Sequence, residues 1–120
     1  MRLDGFGLFV SDMGKMIRFY RDVLGFEIRE DEDTSNVYLI KDGTLFLLYG
    51  RSDFEKMTSR KYEYIKGING HSEIALYVDT FEEVDAEYKK LLKRVLYQYW
   101  SQLPNRGDSV PVILPIPRAT

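Results

Sequence analysis

A stretch of fourteen residues near the N-terminus recurs in outline 68 positions later, and this repeat constrains the fold more than any other feature. The segment GLFVSDMGKMIRFY (7–20) aligns without a gap on ALYVDTFEEVDAEY (75–88), with Leu, Val and Tyr at matching places and Phe opposite Tyr. Self-similarity of this kind indicates two copies of one supersecondary unit. Because each copy is too small to bury its helix and sheet alone, we expect two units packed around a shared concave surface.

The first copy predicts a β-α-β-β-β pattern. Phe6–Val10 is a short apolar run followed by the polar pair Ser11-Asp12, so we expect a buried strand and then a helix N-cap. Apolar residues recur at helical spacing up to Gly25, a residue suited to ending the helix; they are Met13, Met16, Ile17, Tyr20, Val23 and Leu24. Three β-type runs follow, and Asp42-Gly43 predicts a hairpin between the last two; the runs are Phe26–Arg29, Val37–Ile40 and Leu45–Tyr49.

The second copy predicts a strand and a helix after a polar connection. The connection, residues 51–70, is compatible with a helical turn around Phe54–Met57. Glu73–Val78 predicts a strand, and Thr80 with Glu83 forms a capping box ahead of apolar residues at helical spacing. We therefore expect a single domain over 1–120, with a first module at 1–50 and a second at 71–120 that becomes atypical from about residue 93.

Composition argues against several classes of function. The 120 residues include no cysteine, which rules out disulfides, thiolate metal sites and cysteine nucleophiles. A net charge of −2 without a basic stripe argues against nucleic acid as a partner. The N-terminus has no basic segment followed by an apolar region, and no apolar stretch approaches bilayer thickness. We expect a cytoplasmic protein that binds neither nucleic acid nor membranes.

Three segments carry a likeness to a known family. They are LFVSDMGKMIRFYRDVLGFEI (8–28), which contains a strand, a helix and an FY…LGF pattern, KDGTLFLLYG (41–50) and EIALYVDTFEEVDAEY (73–88). Together, over about residues 4–92, the chain resembles the glyoxalase/bleomycin-resistance/extradiol-dioxygenase superfamily, also called vicinal oxygen chelate. The resemblance implies an α+β fold in which paired β-α-β-β-β modules form a curled sheet cup, with the second module incomplete or altered at its C-terminus.

Residues 93–120 depart from the family pattern. They hold all four prolines and the only tryptophan, and four basic residues against one acidic, whereas residues 1–92 hold 13 basic against 18 acidic. The family pattern expects three strands and a DPEGN turn there. Reading the degenerate codons of 94–120 one base upstream permits KGAVSILEPTTEPWGQRTCYIADPEGN, so we favour a frameshift, from a natural lesion or a sequencing error. The alternative is a divergent tail in which Val95–Trp100 and Val110–Ile116 supply replacement strands.

The resemblance also implies four metal-binding positions, which the metal-dependent enzymes of the superfamily use. They map to Gly5, Leu47, Glu73 and a fourth position in the altered tail. Glycine and leucine carry no ligand atom, so we expect no metal cofactor. His71, the only histidine, precedes Glu73 by two residues and would share its strand face, which leaves a His/Glu metal pair as an alternative.

We predict a ligand site made of one carboxylate and four tyrosines. The register of the repeat aims Glu73 into the cup, where an unpaired carboxylate needs water, a cation or a ligand. The tyrosine rings can stack on a planar ligand while their hydroxyls orient it; these residues are Tyr49, Tyr62, Tyr64 and Tyr77. The acidic balance of residues 1–92 favours a cationic ligand.

Three functions stay open at this point. We favour a metal-free protein that binds a small cationic or aromatic molecule in clefts of a homodimer, as the resemblance to bleomycin-resistance-type proteins implies. The second is a metal-dependent glyoxalase-type lyase or isomerase, or a dioxygenase-like enzyme, that uses Glu73. The third is an inactive, frameshifted product. The sequence assigns no catalytic residue. A binding protein is therefore favoured over an enzyme.

Overall fold

Three strands and three helices form within residues 1–64 and 74–102, the parts of the chain that the computed structural model describes. The strands are β1 (Gly5–Val10), β2 (Asn36–Lys41) and β3 (Thr44–Gly50). The helices are α1 (Met13–Arg18, continued by a π-helical turn at Phe19–Val23), α2 (Arg51–Thr58) and α3 (Phe81–Gln102). The chain divides into two compact units, Met1–Tyr64 and Ile65–Thr120, and the sheet belongs to the first. No helix in the described ranges is long and apolar enough to cross a membrane.

The first helix begins and ends as predicted. Asp12 is its N-cap, because the Asp12 Oδ1 accepts a hydrogen bond of 3.0 Å from the Lys15 N–H. The apolar face is buried at Ile17, Tyr20 and Val23. Beyond the helix, the Phe26 N–H donates to Tyr20 O at 2.8 Å across Gly25, whose φ of 75° is the left-handed conformation that glycine adopts readily.

The sheet has the strand order β1-β3-β2, with β1 parallel to β3 and β2 antiparallel to it. The predicted hairpin turn is confirmed: Asp42 and Gly43 both have positive φ, 51° and 79°, as a type I′ turn requires. One face of the sheet is buried towards α1, where the ring of Phe46 lies 5.3 Å from Tyr20 and 6.0 Å from Phe26, centroid to centroid. The α+β class and the small, curled, unclosed sheet agree with the prediction.

Two predicted strands do not form in the described residues. The prediction for Phe26–Arg29 is wrong, because the Phe26 N–H is used by the end of the helix. The Glu30 Oε2 accepts a hydrogen bond of 3.2 Å from the Tyr38 N–H, which leaves that group unavailable to a neighbouring strand. In the predicted strand Glu73–Val78, residues 74–78 have no strand pairing, and Glu73 lies outside the described residues.

Both later helices are longer than their local signals indicated. α2 confirms and extends the turn predicted around Phe54–Met57. The Thr80 cap of α3 is confirmed, because the Glu83 N–H donates to Thr80 Oγ1 at 3.2 Å. The return bond differs from that of a capping box: Glu83 Oε2 accepts from the Asp79 N–H at 3.0 Å, one residue before the cap. Because α3 continues to Gln102, Val95–Trp100 is helical and supplies no replacement strand. The second run of that alternative, Val110–Ile116, lies outside the described residues.

Candidate functional site

The face of the sheet that turns away from α1 is largely apolar and exposed within the first unit. Side chains alternate along paired strands, so every second residue of each strand shares this face. Three of its apolar residues keep much of their surface exposed, namely Phe9 (46%), Tyr38 (56%) and Ile40 (65%). We call this surface the open face; its members are Gly5, Gly7, Phe9, Leu45, Leu47, Tyr49, Asn36, Tyr38 and Ile40. A contiguous exposed apolar patch of this kind typically marks a binding surface.

Two of the metal positions implied by the family resemblance lie on the open face, and neither offers a ligand atom. Leu47 pairs with Gly7, and Gly5 pairs with Leu45. A Cβ atom built at position 5 would lie 2.6 Å from Leu45 O and 2.7 Å from Leu45 Cβ, distances that Cβ atoms do not reach in proteins. A ligating side chain therefore does not fit at position 5 unless the backbone of β3 moves. The described residues also contain no group of three His, Asp or Glu placed to hold a metal ion.

Four aromatic rings meet at the end of the open face that leads into α2. Phe54 lies at their centre: its ring centroid is 4.5 Å from that of Phe9 and 5.4 Å from those of Tyr49 and Tyr62. We call these four residues the aromatic cluster. It brings together two of the predicted ligand residues, Tyr49 and Tyr62, and offers tilted ring faces on which a planar ligand can stack.

The hydroxyl groups of the aromatic cluster both donate hydrogen bonds to residues of α2. The Tyr49 hydroxyl donates to Met57 Sδ at 3.3 Å, and the Tyr62 hydroxyl donates to Thr58 Oγ1 at 3.0 Å. Loss of hydration raises the pKa of Tyr49 above its ordinary 10.0, and the charges of Tyr38 and Asp53 raise it further. A cation at this cluster would therefore be attracted by the ring faces rather than by a phenolate.

Tyr64 lies apart from the aromatic cluster, at an open cavity of about 390 Å³ beside the last residues of β1 and β3. The Arg51 guanidinium carbon lies 4.2 Å from the centroid of the Tyr64 ring, a cation–π contact. Burial raises the pKa of the Tyr64 hydroxyl, and the nearby Glu55 charge adds to the effect while Arg51 opposes it. Within the described part of the chain, the buried Tyr64 hydroxyl and the buried Arg51 Nε have no hydrogen-bond partner.

The other predicted site residues belong to the second unit. Tyr77 is described, and its side chain is 66% exposed. Glu73, predicted to bind the ligand, and His71, its alternative metal partner, lie outside the described residues. The inward orientation of Glu73 thus stays a prediction.

Sequence reasoning overlooked three residues that the structure places at these sites. Phe9 follows Gly5 and Gly7 at a spacing of two, so strand alternation could have put it on the open face. Phe54 and Arg51 had no such signal, because they lie in a polar segment whose short helix was only weakly indicated. Their roles depend on contacts with Phe9 and Tyr64, which are distant in sequence.

A family model described as the Glyoxalase/Bleomycin resistance protein/Dioxygenase superfamily matches residues 2–97. The chain belongs to this superfamily. The match confirms the resemblance found in the sequence and extends slightly beyond the segment that carried it. No curated protein sequence matches the chain.

Several solved structures are similar to this chain. A hypothetical protein from S. aureus is 26% identical, with a TM-score of 0.58 over 78% of this chain and 70% of that one. A glyoxalase/bleomycin resistance protein/dioxygenase from Nocardioides is 16% identical, with a TM-score of 0.64 over 78% of this chain. A lactoylglutathione lyase from Agrobacterium tumefaciens is 21% identical, with a TM-score of 0.56 over 77% of this chain and 68% of that one. The last two show a shared fold, and the match spans 62% of the Nocardioides protein.

Proposed function

We propose that this superfamily member binds a small cationic or aromatic molecule without a metal ion. The observation that carries the proposal is the contact between Gly5 and Leu45, which fills with leucine the space that a metal-ligating side chain would need. Leu47, at the second metal position implied by the family, adds another apolar side chain to the same face. A catalytic divalent ion normally needs three or more protein ligands, and these two positions supply none.

The aromatic cluster is the part of the site that would hold the ligand. Phe9 is 46% exposed and Tyr62 is 38% exposed, so both rings offer surface to a planar molecule. A cation over such a ring gains about 0.5–1 kcal/mol at an exposed site and more when it is desolvated. The 18 acidic residues against 13 basic ones in residues 1–92 would add a general attraction for cations. Glu73, predicted from the sequence as a ligand-binding carboxylate, stays part of this proposal.

The proposed binding unit is a homodimer. Tyr38 and Ile40 leave 56% and 65% of their surfaces exposed on the open face, which supports its burial by a second copy of the chain. Light scattering during gel filtration would give twice the chain mass of 14.1 kDa. A monomer at micromolar concentration would contradict this part of the proposal.

The proposal retains the frameshift as the explanation of the tail. The family match ends at residue 97, and the unusual charge and proline content belong to the residues around and after that point. Tandem mass spectrometry of the protein from its natural source tests it. Peptides that contain SQLPNR (101–106) would reject a sequencing error and leave a natural lesion or a divergent tail, whereas peptides from the family-like string would establish a sequencing error.

The binding proposal is tested by calorimetric titration with ethidium, a planar aromatic cation, on the full chain. We expect saturable binding that Phe9→Ala weakens about threefold to tenfold, because it removes an exposed ring of the aromatic cluster. Phe81→Ala is the matched control, since it truncates an exposed phenylalanine (73%) at the start of α3, outside the aromatic cluster and the open face. Equal effects of both substitutions would contradict a role for the cluster.

Metal analysis separates the proposal from the metal-dependent alternative. We expect less than about half an equivalent of Zn, Ni, Mn or Fe per chain after purification without chelators. Stoichiometric metal that is lost in Glu73→Gln would favour a glyoxalase-type enzyme instead. Unchanged ethidium affinity in Glu73→Gln would remove Glu73 from the binding site and leave the aromatic cluster in place.

A further inference from the structure

The cavity beside Tyr64 is built by segments that follow two neighbouring parallel strands. β1 and β3 run in the same direction, so the chain leaves Val10 and Gly50 at the same edge of the sheet. Residues 34–35, just before β2, close another side. In open sheets, ligands commonly bind beyond the carboxyl ends of parallel strands, because loops and helix starts converge there.

Arg51 is the positively charged group of this cavity, and its Nε has no hydrogen-bond partner among the described residues. Its guanidinium lies over the Tyr64 ring and not on Glu55, although Glu55 is one helical turn away on α2. Among the described residues, no carboxylate lies within ion-pair distance of Arg51, and no acceptor takes its Nε–H. A ring face attracts the positive charge but cannot accept the in-plane N–H groups as a carboxylate does. The guanidinium therefore has N–H groups that are available to a ligand.

The two acidic side chains that line the cavity are engaged elsewhere. Asp53 Oδ2 accepts a hydrogen bond of 2.8 Å from Asn36 Nδ2, and Glu55 Oε2 accepts one of 3.2 Å from the Tyr62 N–H. Their negative charges still act on the cavity, so a singly charged anion is favoured there over a doubly charged one. This argues for a carboxylate and against a phosphate dianion.

The start of α2 adds donors to the same cavity. Gly50 is the N-cap, and because glycine has no side chain it makes no capping hydrogen bond to this helix end. α1, in contrast, is capped by Asp12. The first N–H groups of a helix have no partner within the helix, so those of α2 can complete the binding of an anion that Arg51 attracts.

We propose that this cavity binds the carboxylate group of a small organic acid, with the Arg51 guanidinium as its main partner and the first N–H groups of α2 as additional donors. Ser11 and Ser52 line the cavity and offer hydroxyl groups to the same ligand. The site shares no residue with the aromatic cluster, so either site can fail experimentally without the other.

The proposal is tested by following the Ser52 and Asp53 amide signals in nitrogen-15 correlation spectra during titration with sodium acetate at constant ionic strength. We expect saturable shifts, and a weaker response to inorganic phosphate. Arg51→Gln should weaken acetate binding by about tenfold or more, since a charge-assisted hydrogen bond is lost. Arg29→Gln is the control: it removes the same charge from a side chain that is 84% exposed and pairs only with Glu27 among the described residues.

Two results would overturn the carboxylate site. One is equal acetate affinity in Arg51→Gln and Arg29→Gln; the other is the same set of shifts with sodium chloride alone. If Arg51→Gln does not fold, Arg51→Lys is the test variant, because it keeps the positive charge but loses the planar pair of N–H donors. Reduced acetate affinity in Arg51→Lys supports the proposal, and unchanged affinity rejects it.

Discussion

Substituting Gly5 tests the steric reason why a metal ligand does not fit on the open face. Gly5→Ala adds a single methyl group, which would lie 2.6 Å from Leu45 O, 2.7 Å from Leu45 Cβ and 2.9 Å from Leu45 Cγ. The closest of these atoms is a backbone oxygen, so the clash is not relieved by a side-chain rotation. Overpacking of this kind costs about 1–3 kcal/mol in the free energy of unfolding.

Gly7 supplies a matched control on the same strand and the same face. A Cβ atom at position 7 would lie 3.4 Å from Leu47 Cβ, an ordinary van der Waals contact. Gly7→Ala should therefore stabilise the protein by about 0.4–1 kcal/mol, because alanine restricts the unfolded chain. The two variants should differ by roughly 1.5–4 kcal/mol, although each adds one methyl group.

Urea unfolding followed by circular dichroism measures this difference. With a typical slope of about 1–3 kcal/mol per molar urea, a gap of ~2 kcal/mol separates the two midpoints by about 1 M. Equal midpoints would refute the reasoning, because they would mean that β1 and β3 can separate to admit a side chain at position 5. A metal-ligating residue could then be accommodated there as well.

Three further substitutions test the structure in other places. Phe54→Ala should lower the free energy of unfolding by about 1–3 kcal/mol, because a partly exposed ring at the centre of the aromatic cluster is lost; an unchanged thermal melt would contradict that central position. Thr80→Ala should cost about 1 kcal/mol and speed amide exchange in the first turn of α3, whereas exchange at wild-type rates would show that the cap contributes little. Burial raises the pKa of Tyr20, so its stabilising contribution is complete below pH 10.0 and is lost as the pH rises through the folded-state pKa. Tyr20→Phe should accordingly reduce the loss of stability at alkaline pH, and an identical alkaline profile would rule out this linkage.

Local signals predicted the elements whose hydrogen bonds close within a few residues. The Asp12 cap, the Asp42-Gly43 turn and the Thr80 cap of α3 all depend on neighbours in sequence, and all three form as expected. Phe26–Arg29 failed as a strand because strand formation needs a partner that sequence propensity does not supply. The N–H of Tyr38 on β2 instead donates to the Glu30 carboxylate, a contact that forms only in the folded chain.

The site was predictable only in part, for a similar reason. Tyr49 and Tyr62 were predicted from residue type, but what brings them together is Phe54, which contacts both rings. Tyr64 belongs with Arg51, thirteen positions earlier, and no pattern in the polar segment between them indicated that contact. Residue type thus predicted which side chains can bind, and tertiary packing decided which of them share a site.

The packing on the open face bears on the proposal that this chain binds its ligand without a metal ion. Removing a ligating side chain would leave a cavity, which is costly unless neighbouring atoms fill it. Here Leu45 lies against Gly5 and Leu47 lies against Gly7, so at both pairs a large residue on β3 is opposite a glycine on β1. Because the short distances at Gly5 involve the backbone oxygen of β3, a side chain at position 5 requires the two strands to move apart. A metal-ligating residue at position 5 would therefore require a change in strand spacing as well as in residue identity.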